Sequence, residues 1–557
     1  MKKTFSIIGG FCLLFAASAK GAESGQWDVF EASYTTTKSY SNAFSDIEVN
    51  VVFGKDGKQW VVPAFWADGK KWIVRFAPPQ QGSYSYHVEC SDKTNADLNG
   101  KEKILRVGPY LGRNPLIQHG FIQVASGGRH FEQADRTPFL WLGDTWWKGL
   151  CKRLTWDGFQ ELTADRKAKG FSVVQIVCGP YPDEDAFSPS LENEGGMPYR
   201  ARDFSIINTS YFDYADRRIQ HLVEAGIVPA MVGAWGRSDC DAMQVVGTAG
   251  LKKHWRNLVA RYGAYPVVWI LAGEIEDRTT WGEGPWAEVA SYVRSIDPYH
   301  HPLTCHTYPG KGRRGFEGDI SEVDFELIGG SHDAPTSVAA ETLAMFVAAC
   351  EKYPPMPALC GETCYEGHMQ QGFGDTQRHL FWMYMLNGAA GHTYGAAGVW
   401  HAGVEGDPGV ASSAFGVHRV YDWTTWKEGM QYAGSKQLGL GKKLLEEYSW
   451  WQFEPHPEWV EPGCFAAGIP GQVRFIYRPR RNVYNWSGPI VRNLEKNVDW
   501  HAFYFDPATG RRFDLGPINA KAKGGPPTNP TFDFENDLPS PQDWILVLEA
   551  IRAPTAR

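Results

Sequence analysis

This chain lacks a basic excess. Its 557 residues carry 55 Lys and Arg against 63 Asp and Glu, a net charge of −8. With no basic stripe to neutralise phosphates, nucleic acid is disfavoured as a partner. Long hydrophobic runs are also missing: beyond an N-terminal leader, no segment reaches the ~20 apolar residues of a membrane span. Several enzyme signatures are absent too. The sequence has no G-x-S-x-G nucleophile elbow, no H-E-x-x-H helix and no Walker A lysine loop. A polysaccharide lyase or an esterase would need a Tyr/His/Arg set or a Ser triad, and neither is visible as a motif. No metal and no cofactor are expected. Cysteine is sparse, ten in all. Removing Cys12 with the leader leaves an odd number. Cys178, Cys305 and Cys360 sit in apolar runs and read as buried thiols. Cys151 with Cys178, or Cys360 with Cys364, are the pairs open to disulfide formation in an oxidising compartment. The C-x-x-x-C spacing of Cys360 and Cys364 has no matching second pair and is only a weak zinc signal.

Aromatic side chains, by contrast, are abundant, with 23 Trp and 24 Tyr in a chain that is 14% aromatic. Flat rings stack on the C–H faces of sugars, so carbohydrate is the natural partner, although sandwich cores also consume aromatics. The N-terminus reads as a secretory signal over residues 1–22. Lys2 and Lys3 supply the charge, Phe5–Ala16 the apolar stretch and Ala17-Ser-Ala19 the cleavage site. The mature protein is therefore expected to be secreted or periplasmic.

Three further regions follow. Residues 23–108 show period-two alternation, as in Ile47–Phe53 and Gly82–Glu89, and an Asp68-Gly69 hairpin signal. That pattern predicts a β-sandwich. Residues 109–437 switch to strands alternating with helices, the pattern of parallel βα units. Eight strand candidates are Phe139–Gly143, Ser172–Cys178, Val228–Gly233, Val267–Ala272, Leu303–His306, Asp324–Ile328, Pro357–Cys360 and Gly391–Tyr394. Helices are predicted over Trp156–Lys169, Tyr211–Ala225, Leu251–Tyr262, Trp286–Ser295, Pro335–Lys352 and Thr376–Asn387. The fold class is thus a central (β/α)8 TIM barrel. Residues 438–557 return to short β runs, predicting a second flanking β-sandwich.

Two of the strand candidates end alike, in Ala272-Gly-Glu274 and Cys360-Gly-Glu362. A carboxylate at the C-terminal end of a barrel strand sits on the active face. Two of them supply what glycosidic bond cleavage requires, an acid/base and a nucleophile or base. The eight strand ends together add Asp144, Trp146, Trp147, Gln175, Trp235, Glu276, His306, His332, Tyr365, Glu366, Tyr394 and Trp400, with Glu276 following Glu274 and Tyr365 and Glu366 following Glu362. Such a pocket is acidic and aromatic, with imidazoles to bond hydroxyls. The competing reading for Trp146, Trp235 and Trp400 is packing at the barrel rim. For His306 and His332 it is structural hydrogen bonding.

The motifs Phe139-Leu-Trp-Leu-Gly-Asp-Thr-Trp-Trp147, Lys169-Gly-Phe171, Tyr211-Phe-Asp213, Trp235-Gly236, Tyr365-Glu366 and Gly391-His-Thr-Tyr-Gly395 resemble the apiosidase-like glycoside hydrolase family (the DUF4038 group). The resemblance implies a (β/α)8 barrel with a carboxylate after strand four and a Glu after strand seven. Trp27-Asp-Val-Phe30, Phe65-Trp66 and Val74-Arg-Phe-Ala-Pro78 resemble the DUF5060 β-sandwich. The C-terminal region resembles the "putative collagen-binding" β-sandwich. One departure is chemical. The family shows Gly-Gly-Asp after strand four, whereas this chain has Ala272-Gly-Glu274, one methylene longer.

The reading is an exported glycoside hydrolase acting on a plant or algal cell-wall type oligo- or polysaccharide. Glu274 is its acid/base and Glu362 its nucleophile, and the pair predicts retention. The alternative is a glycan-binding protein on a barrel scaffold without catalysis. No sequence feature specifies an oligomeric state.

Overall fold

In the computed structural model the described residues are 22–551, without 182–186, 237–241, 276–283, 307–320, 330–331, 333–342, 345, 349, 351–354, 363, 408–409, 413–418, 481–485, 496 and 519–536. Eight parallel strands form the centre: β1 (Trp141–Trp146), β2 (Val173–Val177), β3 (Val228–Val232), β4 (Val268–Ile270), β5 (Leu303–Thr304), β6 (Glu326–Gly329), β7 (Ala358–Glu362) and β8 (Gly391–Tyr394). They pair in the order β5-β4-β3-β2-β1-β8-β7-β6. A parallel bridge between His306 and Leu327 joins the two outer strands and closes the barrel. The strands are buried on both faces, which is why their sequences are apolar runs.

All eight expected strands are present, and the first is shifted. Pro138–Phe139 does not begin β1 but pairs with Phe131–Gln133, which in turn pairs with Ile122–Val124. This small antiparallel sheet packs Phe131 against Trp141 and Phe325 of the barrel interior.

The helices are α1 (Trp156–Ala168), α2 (Thr209–Glu224), α3 (Ala242–Tyr262), α4 (Pro285–Ile296), α5 (Gly374–Met385) and α6 (Ala433–Leu445). Thr155 caps α1 by accepting from the Gly158 N–H. Gly226, at φ 76°, turns the chain out of α2. α3 starts nine residues before the expected Leu251, with a kink at Gly247 where φ is 70°. Most of the helix expected over Pro335–Lys352 lies outside the described residues. α6 runs across the expected boundary at 437/438 and packs on α5 as part of the barrel's outer layer.

The N-terminal sandwich has a five-stranded sheet and a three-stranded sheet. Its core is built on Phe53 stacked against Phe76 at 4.0 Å. The strand expected over Gln59–Trp66 divides at Ala64. Lys58–Pro63 joins the larger sheet, while Phe65–Asp68 joins the smaller one. Arg75 fastens the sandwich to the barrel through Asp216 at 2.7 Å and the Arg261 carbonyl at 2.9 Å.

The C-terminal region is a six-stranded, largely antiparallel sheet. One face, with Phe475 and Tyr477, packs on the barrel side near Trp382 and His379. The other face is covered by Trp459, Val491, Leu494 and Leu538 from connecting segments. Among the described residues no second sheet completes this layer.

Candidate active site

Strand phase decides which side chains enter the barrel. On β1, Trp141 and the following Trp147 belong to the interior cluster, whereas Leu142 and Trp146 belong to the layer between strands and helices. This is the two-residue alternation of a strand. Asp144 shares the outward phase of Trp146. Its Oδ2 accepts from Arg166 Nε of α1 at 2.6 Å and from Trp146 Nε1 at 2.7 Å. The expectation that Asp144 and Trp146 bind sugar therefore gives way to a structural role: they tie β1 to α1.

Tyr394 and Glu366 follow the same logic. Tyr394 lies in the outer layer, and its hydroxyl donates to Glu366 Oε2 at 2.6 Å. The Gly434 N–H of α6 donates to Glu366 Oε1 at 3.0 Å. Burial raises the proton affinity of the Glu366 carboxyl. Both residues anchor α6 to β8 rather than lining the pocket.

Glu362 ends β7, where a register shift pairs it with Gly329. Its carboxylate is buried between two imidazoles. His306 Nε2 lies 2.8 Å from Oε2, and His332 Nε2 lies 3.1 Å from Oε1. The first contact is close but not aligned as a hydrogen bond. The second is a hydrogen bond, and the Tyr365 N–H reaches His332 Nδ1 at 3.3 Å. That backbone donor assigns the His332 proton to Nε2, facing Glu362. Burial alone raises the proton affinity of Glu362, but the two imidazoles outweigh it and hold the carboxyl well below the usual carboxylate range.

Glu274 follows β4 and is half-buried. Trp235 Nε1 donates to its Oε2 at 3.2 Å. Trp235 and Gly273 form a parallel bridge, and a Cβ at Gly273 would collide with the Trp235 ring. Glycine at 273 is thus what lets the indole lie across the chain and reach the next residue. Glu274 itself has φ 47°, a left-handed conformation that costs a side-chain-bearing residue about 1–3 kcal/mol. Such strain concentrates at functional sites.

Trp235 links the two carboxylates, since its ring lies 5.9 Å from that of His306. Trp147 closes on both, 5.2 Å from Trp235 and 5.7 Å from His306. Below them, Gln175 Nε2 donates to the Gly361 carbonyl at 2.8 Å, and its Oε1 has no hydrogen-bond partner among the described residues. The Tyr365 phenol is buried beside Glu362, and both burial and that carboxylate raise its proton affinity. Its ring continues to Trp400 at 6.4 Å. Glu274, Glu362, Trp147, Gln175, Trp235, His306, His332, Tyr365 and Trp400 therefore share one end of the barrel interior. Glu276 lies outside the described residues.

Sequence reading missed His368, His401 and Asp422. Asp422 accepts from Trp400 Nε1 at 2.7 Å and from the Gly398 N–H at 3.1 Å. His368 Nδ1 is 3.5 Å and His401 Nε2 3.3 Å from the same carboxylate. Burial is again outweighed, here by these donors, and Asp422 is held well below its ordinary range. His368 stacks toward His332 at 4.8 Å. The only sequence signal was the His-rich, Trp-rich composition around 392–401; Asp422 itself stands in an unremarkable loop.

Cys151, Cys178, Cys360 and Cys364 are buried and not joined in disulfides in the structure, and burial raises the proton affinity of the Cys178 and Cys360 thiols. Among the described residues no group of three His, Cys, Asp or Glu is placed to hold a metal ion. No helix among them is long and apolar enough to cross a membrane.

Comparison with known proteins places this geometry. No curated protein matches the chain. In fold it is similar to a candidate glycoside hydrolase from Bacteroides vulgatus, at 17% identity and TM-score 0.71, covering 95% of this chain and 100% of that one. A second glycoside hydrolase aligns at 18% identity and TM-score 0.63, over 78% and 98% of the two chains. A family 5 glycoside hydrolase, also from Bacteroides vulgatus, aligns at 17% identity and TM-score 0.62, over 80% and 96%. Residues 23–91 match the DUF5060 domain of unknown function. The model described as "Apiosidase-like, catalytic domain" matches residues 125–452, more than half of the chain and the whole of the barrel with its pocket. The chain belongs to the apiosidase-like family and is a glycoside hydrolase.

Proposed function

We propose that this protein is an exported, retaining glycoside hydrolase acting on a plant or algal cell-wall glycan, with Glu362 as nucleophile and Glu274 as general acid/base. The observation that carries the assignment is the pair of imidazoles on the Glu362 carboxylate. Glu362 is buried and faces two imidazole nitrogens, which favours the ionised form a nucleophile needs. Glu274 is half-buried at the end of β4 and accepts the Trp235 indole N–H.

In the first step the Glu362 carboxylate attacks the anomeric carbon while Glu274 protonates the departing oxygen. In the second, Glu274 takes a proton from water, which displaces Glu362. His306 and His332 orient the nucleophile. Trp147, Trp235 and Trp400 pack around the two carboxylates and hold His306 and Tyr365 in place, and Gln175 Oε1 and the Tyr365 phenol, without hydrogen-bond partners among the described residues, are the polar groups closest to hand for a sugar hydroxyl. A retaining mechanism calls for carboxyl groups ~5–5.5 Å apart.

The test is reducing-sugar release by the mature protein on pectins, xyloglucan, arabinoxylan, mannan and laminarin, beside Glu274→Gln and Glu362→Gln. Both variants should lose at least about 10³-fold in turnover. Azide added to Glu362→Ala should give the glycosyl azide of inverted configuration, and azide added to Glu274→Ala the retained one. Activity surviving both Gln substitutions refutes the pair. The leader at residues 1–22 supports export, checked by the N-terminal sequence of protein recovered from the periplasm or medium.

A further inference from the structure

His332 stands on the segment after β6, yet the contacts described for it come from the chain between β7 and α5. Its Nε2 donates to Glu362 Oε1 at 3.1 Å, and its Nδ1 accepts from the Tyr365 N–H at 3.3 Å. Its ring lies 4.5 Å from that of Tyr365 and 4.8 Å from that of His368. These contacts orient the imidazole. A further bond holds the backbone behind it: Gln371 Nε2 donates to the His332 carbonyl at 2.7 Å. A carbonyl can only accept, so this bond also fixes which way round the Gln371 amide lies.

The chain reaches this point through a strained turn. Cys364 has φ 40°, Gly367 77°, Met369 52°, Gln370 61° and Gly372 72°, all left-handed. Met369 and Gln370 carry side chains, and both are exposed, so burial of those side chains does not offset the strain. The turn is enforced from its ends. Buried Gln377 of α5 donates from Nε2 to the Cys364 carbonyl at 2.6 Å and to the Gly372 carbonyl at 2.7 Å. The Gly367 N–H bonds the Gln371 carbonyl at 2.9 Å, and a Cβ at Gly367 would enter the Tyr432 ring. Strained backbone persists where its surroundings over-determine it, and it gathers at functional sites. Here the enforced turn brings two side chains onto His332, the His368 ring and the Gln371 amide.

We propose that Gln371 is a positioning residue for the nucleophile, acting through His332. Its amide fixes the His332 backbone and so fixes where the Nε2 proton meets Glu362. A hydrogen bond weakens steeply as its angle departs from linear, so a small swing of His332 loosens its hold on the carboxylate. The inference rests on Glu362 being the nucleophile. The other titratable groups around the pair are His306 across the carboxylate, Tyr365, His368 with Asp422 behind it, and Glu274 beyond Trp235. All of them are retained in Gln371→Met, which keeps the length of the side chain and removes its donor.

The test is a double-mutant cycle of Gln371→Met with His332→Ala, beside Glu362→Gln, on the aryl glycoside of the sugar that the parent releases. Gln371→Met should lower kcat/KM ~3–10-fold, mostly through kcat, and move its acid limb toward neutrality. Added to His332→Ala it should change neither, because the residue it acts through is gone. Equal losses in the two backgrounds, with Glu362→Gln inactive, overturn the positioning role and leave the nucleophile standing. A Glu362→Gln that keeps its turnover overturns the nucleophile, and the proposal with it. Nuclear magnetic resonance of protein labelled at histidine reads the contact without substrate. The imidazole signal that vanishes in His332→Ala should shift in Gln371→Met, and a signal that stays in place overturns the proposal.

Discussion

The two imidazoles around Glu362 make a quantitative claim about pH. His332→Ala removes the donor 3.1 Å from Oε1 and leaves His306 in place. A hydrogen bond to a charged group contributes about 1.5–3 kcal/mol, and each 1.36 kcal/mol corresponds to one pH unit. The Glu362 carboxyl should therefore titrate about one to two pH units higher in the variant. The sign follows from which form reacts. In the proposed mechanism the ionised carboxylate is the nucleophile, so activity is lost as pH falls through its pKa. Raising that pKa moves the acid limb of kcat/KM toward neutrality.

Stability follows the same linkage. A carboxyl depressed in the folded state stabilises above its unfolded pKa, and the benefit fades as pH falls through the folded value. The variant should thus be less stable than the parent near neutrality, with the difference shrinking in strong acid. The assay is kcat/KM from the lowest pH at which each protein stays folded up to about pH 8 for parent, His332→Ala and His332→Gln. Gln retains an N–H donor and should return the limb part of the way. A limb that stays put while kcat/KM falls would refute the electrostatic account and reduce His332 to a shape-filling residue.

Two further outcomes separate structural from functional groups. Asp144→Ala takes from the buried Arg166 guanidinium one of its two carboxylates, leaving Asp165, and leaves the Trp146 indole N–H unbonded; it should cost about 3–5 kcal/mol in denaturant unfolding. Glu362→Gln should cost far less, so equal losses would put Asp144 and Glu362 in one class and contradict the strand-phase argument. Gly273→Ala puts a methyl into the Trp235 ring. It should lower kcat at least about 100-fold by displacing Glu274, with about 1–3 kcal/mol lost in stability; an active variant would detach Glu274 from the chemistry.

The barrel was legible because its strands are short apolar runs at regular spacing, each bounded by a turn or helix signal. The two Gly-Glu ends were legible for the same reason, since a carboxylate after such a run has few places to go. Inward or outward direction was not. A parallel strand covered on both faces carries no polar alternation, so Asp144-Thr-Trp146-Trp147 reads equally well in either phase. Only the pairing of β1 with β2 and β8 fixes the phase, sending Asp144 to Arg166 and Trp147 to the pocket. His368, His401 and Asp422 escaped notice because they stand in loops, where no periodicity marks them.

Local chemistry in the sequence determined the order of elements, the apolar strands, the Thr155 cap, the left-handed turn at Gly226 and the presence of carboxylates at two strand ends. These depend on near neighbours and on hydrophobic patterning. Tertiary structure decided which carboxylates face the barrel interior and which only tie strands to helices. It brought His306 and His332, from two different segments, onto Glu362. It laid Trp235 over a side-chain-free Gly273 to meet Glu274, and it buried Glu366 against α6. A carboxylate's role is set by the charges and donors within a few ångströms, and in a barrel those come from strands far apart in the chain.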